Sequence, residues 1–222
     1  MKPNSNILEI GAGTGQATAH FISGEYNLTA LELGKEQVGF LKQKYPEINV
    51  QCVPFENYVS EPNRFDLIFS ATAFHWINAQ IGYPKAYELL KYNGTMVVFW
   101  HTSSITRFED KIHTGIRNIC EKYDPNLYQG KTVQELEDIH KVRINEITTN
   151  GLFKNPYYKE YVWIDYYDAE KYIALLNTYS DFQVFDSVKR KMLLEEIKSF
   201  IVSNGGIVEM PQKVNLYMAK KV

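Results

Sequence analysis

Near the start of the chain, Ile7-Leu8-Glu9-Ile10 runs into Gly11-Ala12-Gly13-Thr14-Gly15 and then Gln16. Glycines at alternate positions let a backbone approach a ligand closely, and the first N–H groups of a following helix are free to donate to it. Glu32 stands 17 positions after Gly15, where another apolar stretch ends. A carboxylate there either accepts the two hydroxyls of a ribose or is an ordinary solvated loop acid. His75 sits in Phe74-His75-Trp76, after a third apolar stretch. A histidine of near-neutral pKa suits removal of a proton from a hydroxyl, an amine or a carbon acid. His75 is therefore the first candidate for a catalytic base or acceptor orienter; the other reading is that it caps a helix or packs on Trp76. His101 is a second candidate of the same kind, and Trp76 and Trp100 either wall a substrate pocket or belong to the core.

Other chemistries fit poorly. No G-x-x-x-x-G-K-[ST] occurs, and Ser70-Ala71-Thr72-Ala73 is not G-x-S-x-G. The five histidines show no metal-ligand spacing with Cys52 or Cys120, so no metal is expected, and two cysteines make no disulfide framework. A net charge of −2 argues against a nucleic-acid surface. No apolar run reaches a membrane span, and MKPNSN lacks the apolar core of a signal peptide, so a cytoplasmic chain without membrane or nucleic-acid partners is expected.

These residues need elements to position them. Over the first hundred residues short apolar runs alternate with helical stretches, which predicts βα units feeding a parallel sheet. Strands are expected at 7–10, 27–33, 48–53, 65–71 and 95–100, and helices at 17–23, 35–45 and 84–94, the last with Pro84 at its start and Gly94 past its end. Beyond strand five, Thr106 with Glu109 and Thr132 with Glu135 are capping-box signatures, predicting helices over 107–123 and 133–145. Further strands are expected at 155–164 and 213–221, and helices at 168–177 and 187–203. The fold class is α/β: a doubly wound, mostly parallel seven-stranded sheet, its last strand antiparallel, with a helical insertion after strand five. It reads as one domain over 1–222, with a ligand-binding half at 1–100 and a substrate-side half at 101–222.

Glu9-Ile10-Gly11-Ala12-Gly13-Thr14-Gly15 resembles the first motif of the Rossmann-like S-adenosylmethionine-dependent methyltransferases. A dinucleotide fingerprint needs a third glycine three places after Gly13, where this chain has Gln16. Pro54-Phe55-Glu56 is similar to the loop that lies against adenine in that family. The family commonly has a small or acidic residue in place of Pro54, which leaves the Phe55 backbone to make the contact. Ser70-Ala71 leading to Phe74-His75-Trp76 resembles the small-molecule enzymes of the trans-aconitate and ubiquinone/menaquinone-biosynthesis group. Tyr92-Asn93-Gly94 stands where a proline-glycine turn is usual. The resemblance covers residues 7 to 100 well and the remainder thinly.

It implies S-adenosylmethionine as cofactor, held by Glu9, Gly11, Ala12, Gly13, Gly15, Glu32, Leu33, Pro54, Phe55, Ser70 and Ala71. His75 would then be catalytic, Trp76, Trp100 and His101 would meet a small-molecule substrate, and the reaction would be in-line methyl transfer to a carboxylate, hydroxyl or similar acceptor. The family's glycine turn usually follows some tens of residues of helix, and six residues precede Ile7 here. The site is accordingly expected to be open on one side, or closed by a second subunit of a homodimer. Two rival readings stay open: a nicotinamide-dependent oxidoreductase on the same strand order, and an inactive relative that only binds the cofactor.

Overall fold

The computed structural model describes residues 1–103, 106–148 and 151–222. Among the described residues, seven strands and seven α-helices follow in chain order: β1 (Asn6–Ile10), β2 (Asn27–Glu32), α1 (Lys35–Lys44), β3 (Asn49–Cys52), β4 (Phe65–Ala71), α2 (Ala79–Leu89), β5 (Leu90–His101), α3 (Lys111–Glu121), α4 (Val133–Thr148), β6 (Tyr157–Asp168), α5 (Ala169–Leu176), α6 (Ser180–Gln183), α7 (Ser187–Ser203) and β7 (Ile207–Lys220). The strand order is β3-β2-β1-β4-β5-β7-β6. β1 to β5 pair in parallel, and β7 runs antiparallel to β5, with Trp100 opposite Asn215. This is the doubly wound α/β sheet the alternation predicts, and its order reverses between β1 and β4, where such sheets bind ligands.

The chain groups into two compact units. One comprises Met1–His101, Ile139–Tyr161 and Val214–Val222; the other comprises Thr102–Asp138 and Val162–Lys213. In the first, strands are apolar on both faces because helices cover both. Leu8, Ile10, Ile68, Met96 and Val98 face α2, while Ile7, Leu28, Leu67 and Phe69 make a second layer on the opposite face. The second unit has its own core, in which α3 and α5 pack on α7 through Ile116, Tyr172, Leu193, Ile197 and Ile201.

Three expectations need correction. The segment after the glycine turn is a 3-10 helix over Thr18–Gly24, with no side-chain cap at its start. The helix expected at Pro84 begins at Ala79 instead, because the Asn78 side chain accepts from the Gln80 N–H; Pro84 lies inside, and the chain after Leu89 is already strand. Asn93, at φ 63°, makes the turn within that segment. The helix expected from Arg107 begins at Lys111, because Asp110 rather than Thr106 accepts from the N–H groups of Ile112 and His113. Thr106 Oγ donates to the Thr102 carbonyl. By contrast, Thr132 and Glu135 form the reciprocal capping box that the spacing predicts.

Candidate functional site

The carboxyl ends of β1, β2, β3 and β4 meet at a cleft of about 370 Å³. Of the residues singled out in the sequence, Gly11, Glu32, Leu33, Pro54, Phe55 and Trp76 line it. The post-β1 turn is held against β2: Gly11 and Ala12 N–H groups donate to the Leu31 carbonyl at 2.9 and 3.1 Å. Gly11 has φ +72°, and a Cβ there would lie 2.4 Å from Ala73 Cβ, so the loop leaving β4 crosses the turn only because the side chain is absent. Gly13 differs. Its φ is +57°, and a Cβ there would meet nothing within 4 Å. Gly13 is not among the residues lining the cleft, and the open space at its turn is what a side chain there would occupy.

Glu32 ends β2 with both carboxylate oxygens on backbone. Gly13 N–H donates to Oε2 at 2.7 Å, and Leu33 and Gly34 N–H groups donate to Oε1 at 2.7 and 2.9 Å. The turn after β1 and the turn after β2 are thus joined through one carboxylate. On the third side, Phe55 is buried in a short 3-10 helix (Phe55–Asn57), and Lys85 of α2 pins that loop by donating to the Glu56 carbonyl at 2.8 Å.

Other candidates lie outside the cleft lining. Glu9 is buried and accepts from Thr18 Oγ at 2.6 Å; burial pushes its carboxyl up to about 7, with the Thr18 hydrogen bonds opposing. Ala12 packs in the layer with Ala30 and Val38. A Cβ on Gly15 would press on Leu41 and Tyr45, which makes that glycine a packing residue. Ser70 is buried with its hydroxyl donating to the Ile10 carbonyl at 2.8 Å, tying β4 to β1, and Ala71 is half-buried beyond it. His101 is exposed at the end of β5, opposite Val214.

His75 lies in a 3-10 helix (Phe74–Trp76) past β4. Trp100 Nε1–H donates to His75 Nδ1 at 3.0 Å. Indole is a donor only, so Nδ1 is the acceptor, and the neutral ring carries its proton on Nε2. His75 is exposed and is not among the residues lining the cleft. Burial, followed by the Arg143 charge, holds its pKa below the usual histidine value. Arg143 stacks 4.6 Å from the Trp100 ring and pairs with Glu146 at 2.7 Å, so Trp100 is a core residue carrying orientation from Arg143 to His75. Trp76 is 82% exposed and lines the cleft, which overturns its reading as core.

Sequence reasoning missed Val53, Ala73 and Ile77, which also line the cleft and look like core residues in the sequence. It missed Thr72, at φ 55° with its N–H on the Phe99 carbonyl. A β-branched residue there is strained by about 1–3 kcal/mol, and such strain gathers at functional edges. Nothing in the residue type signals it.

The strand order and the glycine turn are like those of the Rossmann-like, S-adenosylmethionine-dependent methyltransferases. Residues 7–94 match the family described as methyltransferase domain. An uncharacterized methyltransferase-like protein of Schizosaccharomyces pombe is 30% identical over 103 residues, 46% of this chain and 40% of that protein. Malonyl acyl-carrier-protein O-methyltransferase 1 of Ilyobacter polytropus is 28% identical over 147 residues, 64% of this chain and 52% of that one. The chain thus spans about half the length of these relatives or less. A solved structure of a candidate methyltransferase from Bacillus halodurans shares the fold at TM-score 0.58 and 13% identity, covering all of this chain and 94% of that one.

Proposed function

We propose that this chain transfers a methyl group from S-adenosylmethionine to a small-molecule acceptor whose reacting atom is an oxygen, with a carboxylate favoured. The observation that carries this reading is the junction of Gly13, Glu32, Leu33 and Gly34 at the mouth of the cleft. It offers a carboxylate beside the open space at Gly13, and apolar walls from Leu31, Val53 and Ile77. Those features fit the group: a diol donates to Glu32, an aromatic base packs on the apolar walls beside Phe55, and an amino-acid portion lies over Gly13. The bound cofactor supplies a methyl group on a sulfonium, already electrophilic. The protein then has to align the acceptor and exclude water.

His75 supports the carboxylate preference. With its proton on Nε2 it can donate to an acceptor oxygen but cannot take a proton there, and a carboxylate acceptor needs none removed. The O-methyltransferase of Ilyobacter polytropus among the relatives agrees with an oxygen acceptor. We read both units as parts of one cytoplasmic methyltransferase domain. The test is calorimetric titration with S-adenosylhomocysteine and with NADH, followed by a screen of labelled methyl transfer to small carboxylic acids and phenols. We expect S-adenosylhomocysteine to bind and NADH not to; binding of NADH alone sinks the proposal.

A further inference from the structure

We propose that the second unit holds a binding site for a small organic carboxylate with an apolar body, centred on Arg117. This site is independent of the methyl-transfer reading, because it rests on the second unit alone. Arg117 projects from α3, and its side chain is only 4% exposed. One terminal nitrogen donates to the Phe108 carbonyl, and the other sits 3.4 Å from a Glu109 carboxylate oxygen. Its Nε–H has no acceptor among the described residues. A buried N–H of a charged group left unpaired is costly and rare, so it calls for an acceptor from elsewhere. Arg117 lines a cavity of about 240 Å³, large enough to admit one.

Two further cations line the same cavity, and backbone contacts fix where they sit. Thr106 bridges to Lys131, and the Arg107 N–H donates to the Lys131 carbonyl at 2.8 Å. Gly130 makes the approach possible: it has φ +64°, and a Cβ there would lie 2.8 Å from the Arg107 nitrogen. Opposing them on the lining is one carboxylate, Asp181. Glu109 pairs with both arginines, but it is 66% exposed, and a pair held that far into water is weak and readily exchanged. The balance favours an anion.

The remaining lining is mixed, with an apolar part from Phe108, Phe182 and Met210 beside the polar Asn126, Gln129 and Tyr179. A bare inorganic anion would satisfy the cations and leave that apolar part wet. An organic carboxylate satisfies both, accepting from Arg117 through its oxygens and burying its body against the two phenylalanines.

The experiment is calorimetric titration of the full chain with benzoate, with benzyl alcohol as the neutral counterpart and with inorganic phosphate. Benzoate should bind saturably and more tightly than either comparison compound. Lys131→Ala, at a half-buried position, should weaken benzoate about tenfold, as should Arg117→Lys in a preparation whose circular dichroism matches the unsubstituted chain. Equal binding of benzyl alcohol, tighter binding of phosphate, absence of saturable heat with benzoate, or unchanged affinity in Lys131→Ala each overturns the proposal. S-adenosylhomocysteine titrated alongside reads the first unit separately, so failure of one reading is distinguishable from failure of the other.

Discussion

Glu9 in the first unit and His113 in the second are both buried where the surroundings resist their charge, and the two groups respond to acid in opposite directions. In the first unit, burial lifts the Glu9 carboxyl from an ordinary 4.5 to about 7. Protonation therefore favours the fold: the contribution is complete below 4.5 and is lost as pH rises through about 7. In the second unit, burial pulls His113 below its ordinary 6.5; Asp110, bonded to its Nδ1 at 2.6 Å, acts against this, and the Arg117 charge acts with it. There the neutral ring favours the fold, so stability is complete above 6.5 and is lost as pH falls toward the lowered value. The same cause, desolvation, stabilises one unit in acid and weakens the other, because the charged form is the base in one group and the acid in the other.

The comparison can be broken or sharpened by substitution. The largest effect is expected at Gly13→Val, where the side chain would fill the open space at the turn beside Glu32. S-adenosylhomocysteine affinity should fall by roughly a hundredfold or more while the fold survives with about 1–2 kcal/mol lost to the strained φ. Unchanged binding in calorimetry would displace the site from this turn. Next, Glu9→Gln should raise stability at pH 8 by up to about 3 kcal/mol, the order set by a shift from 4.5 to about 7, and change little at pH 5. Equal gains at both pH values would show that Glu9 is not titrating in the fold.

A smaller, opposite response is expected in the second unit. Between pH 7.5 and 5.5, hydrogen exchange in α3 should accelerate relative to β1, and His113→Phe should remove that acceleration. Exchange rates moving together would contradict the separate assignment of the two groups. His75→Ala should lower turnover about tenfold with cofactor affinity near that of the unsubstituted chain; loss of the acidic limb of the pH–rate profile would instead mark it as a base. Smallest of all, Thr72→Gly should stabilise by about 1 kcal/mol in denaturant unfolding by relieving the positive φ, and no gain there would mean the strain is compensated locally.

The two units also differ in how much of them the chain announces. Around the cleft, residue types sit at strand ends in a fixed order, so Gly11 and Glu32 were legible from alternation and spacing, and Phe55 from the family resemblance. In the second unit Arg117 is one of the chain's five arginines, and nothing within several residues of it marks a site. Its cavity depends on Arg107, Lys131 and Phe182 arriving from distant parts of the chain. Capping shows the same divide on a smaller scale. Thr132 with Glu135 read correctly because the box closes on itself, whereas Thr106 with Glu109 misled because Asp110 competes for the same N–H groups.

By itself the sequence determined the alternating βα pattern, the strand order's class and the glycine turn facing Glu32, since these follow from local periodicity and backbone freedom. Tertiary structure alone decided which nitrogen of His75 carries the proton, which of the three glycines leaves open space and which is packing, and that Trp76 is exposed while Trp100 is buried. Those outcomes turn on single contacts of about 3 Å between residues far apart in the chain, and a one-dimensional pattern does not encode distance.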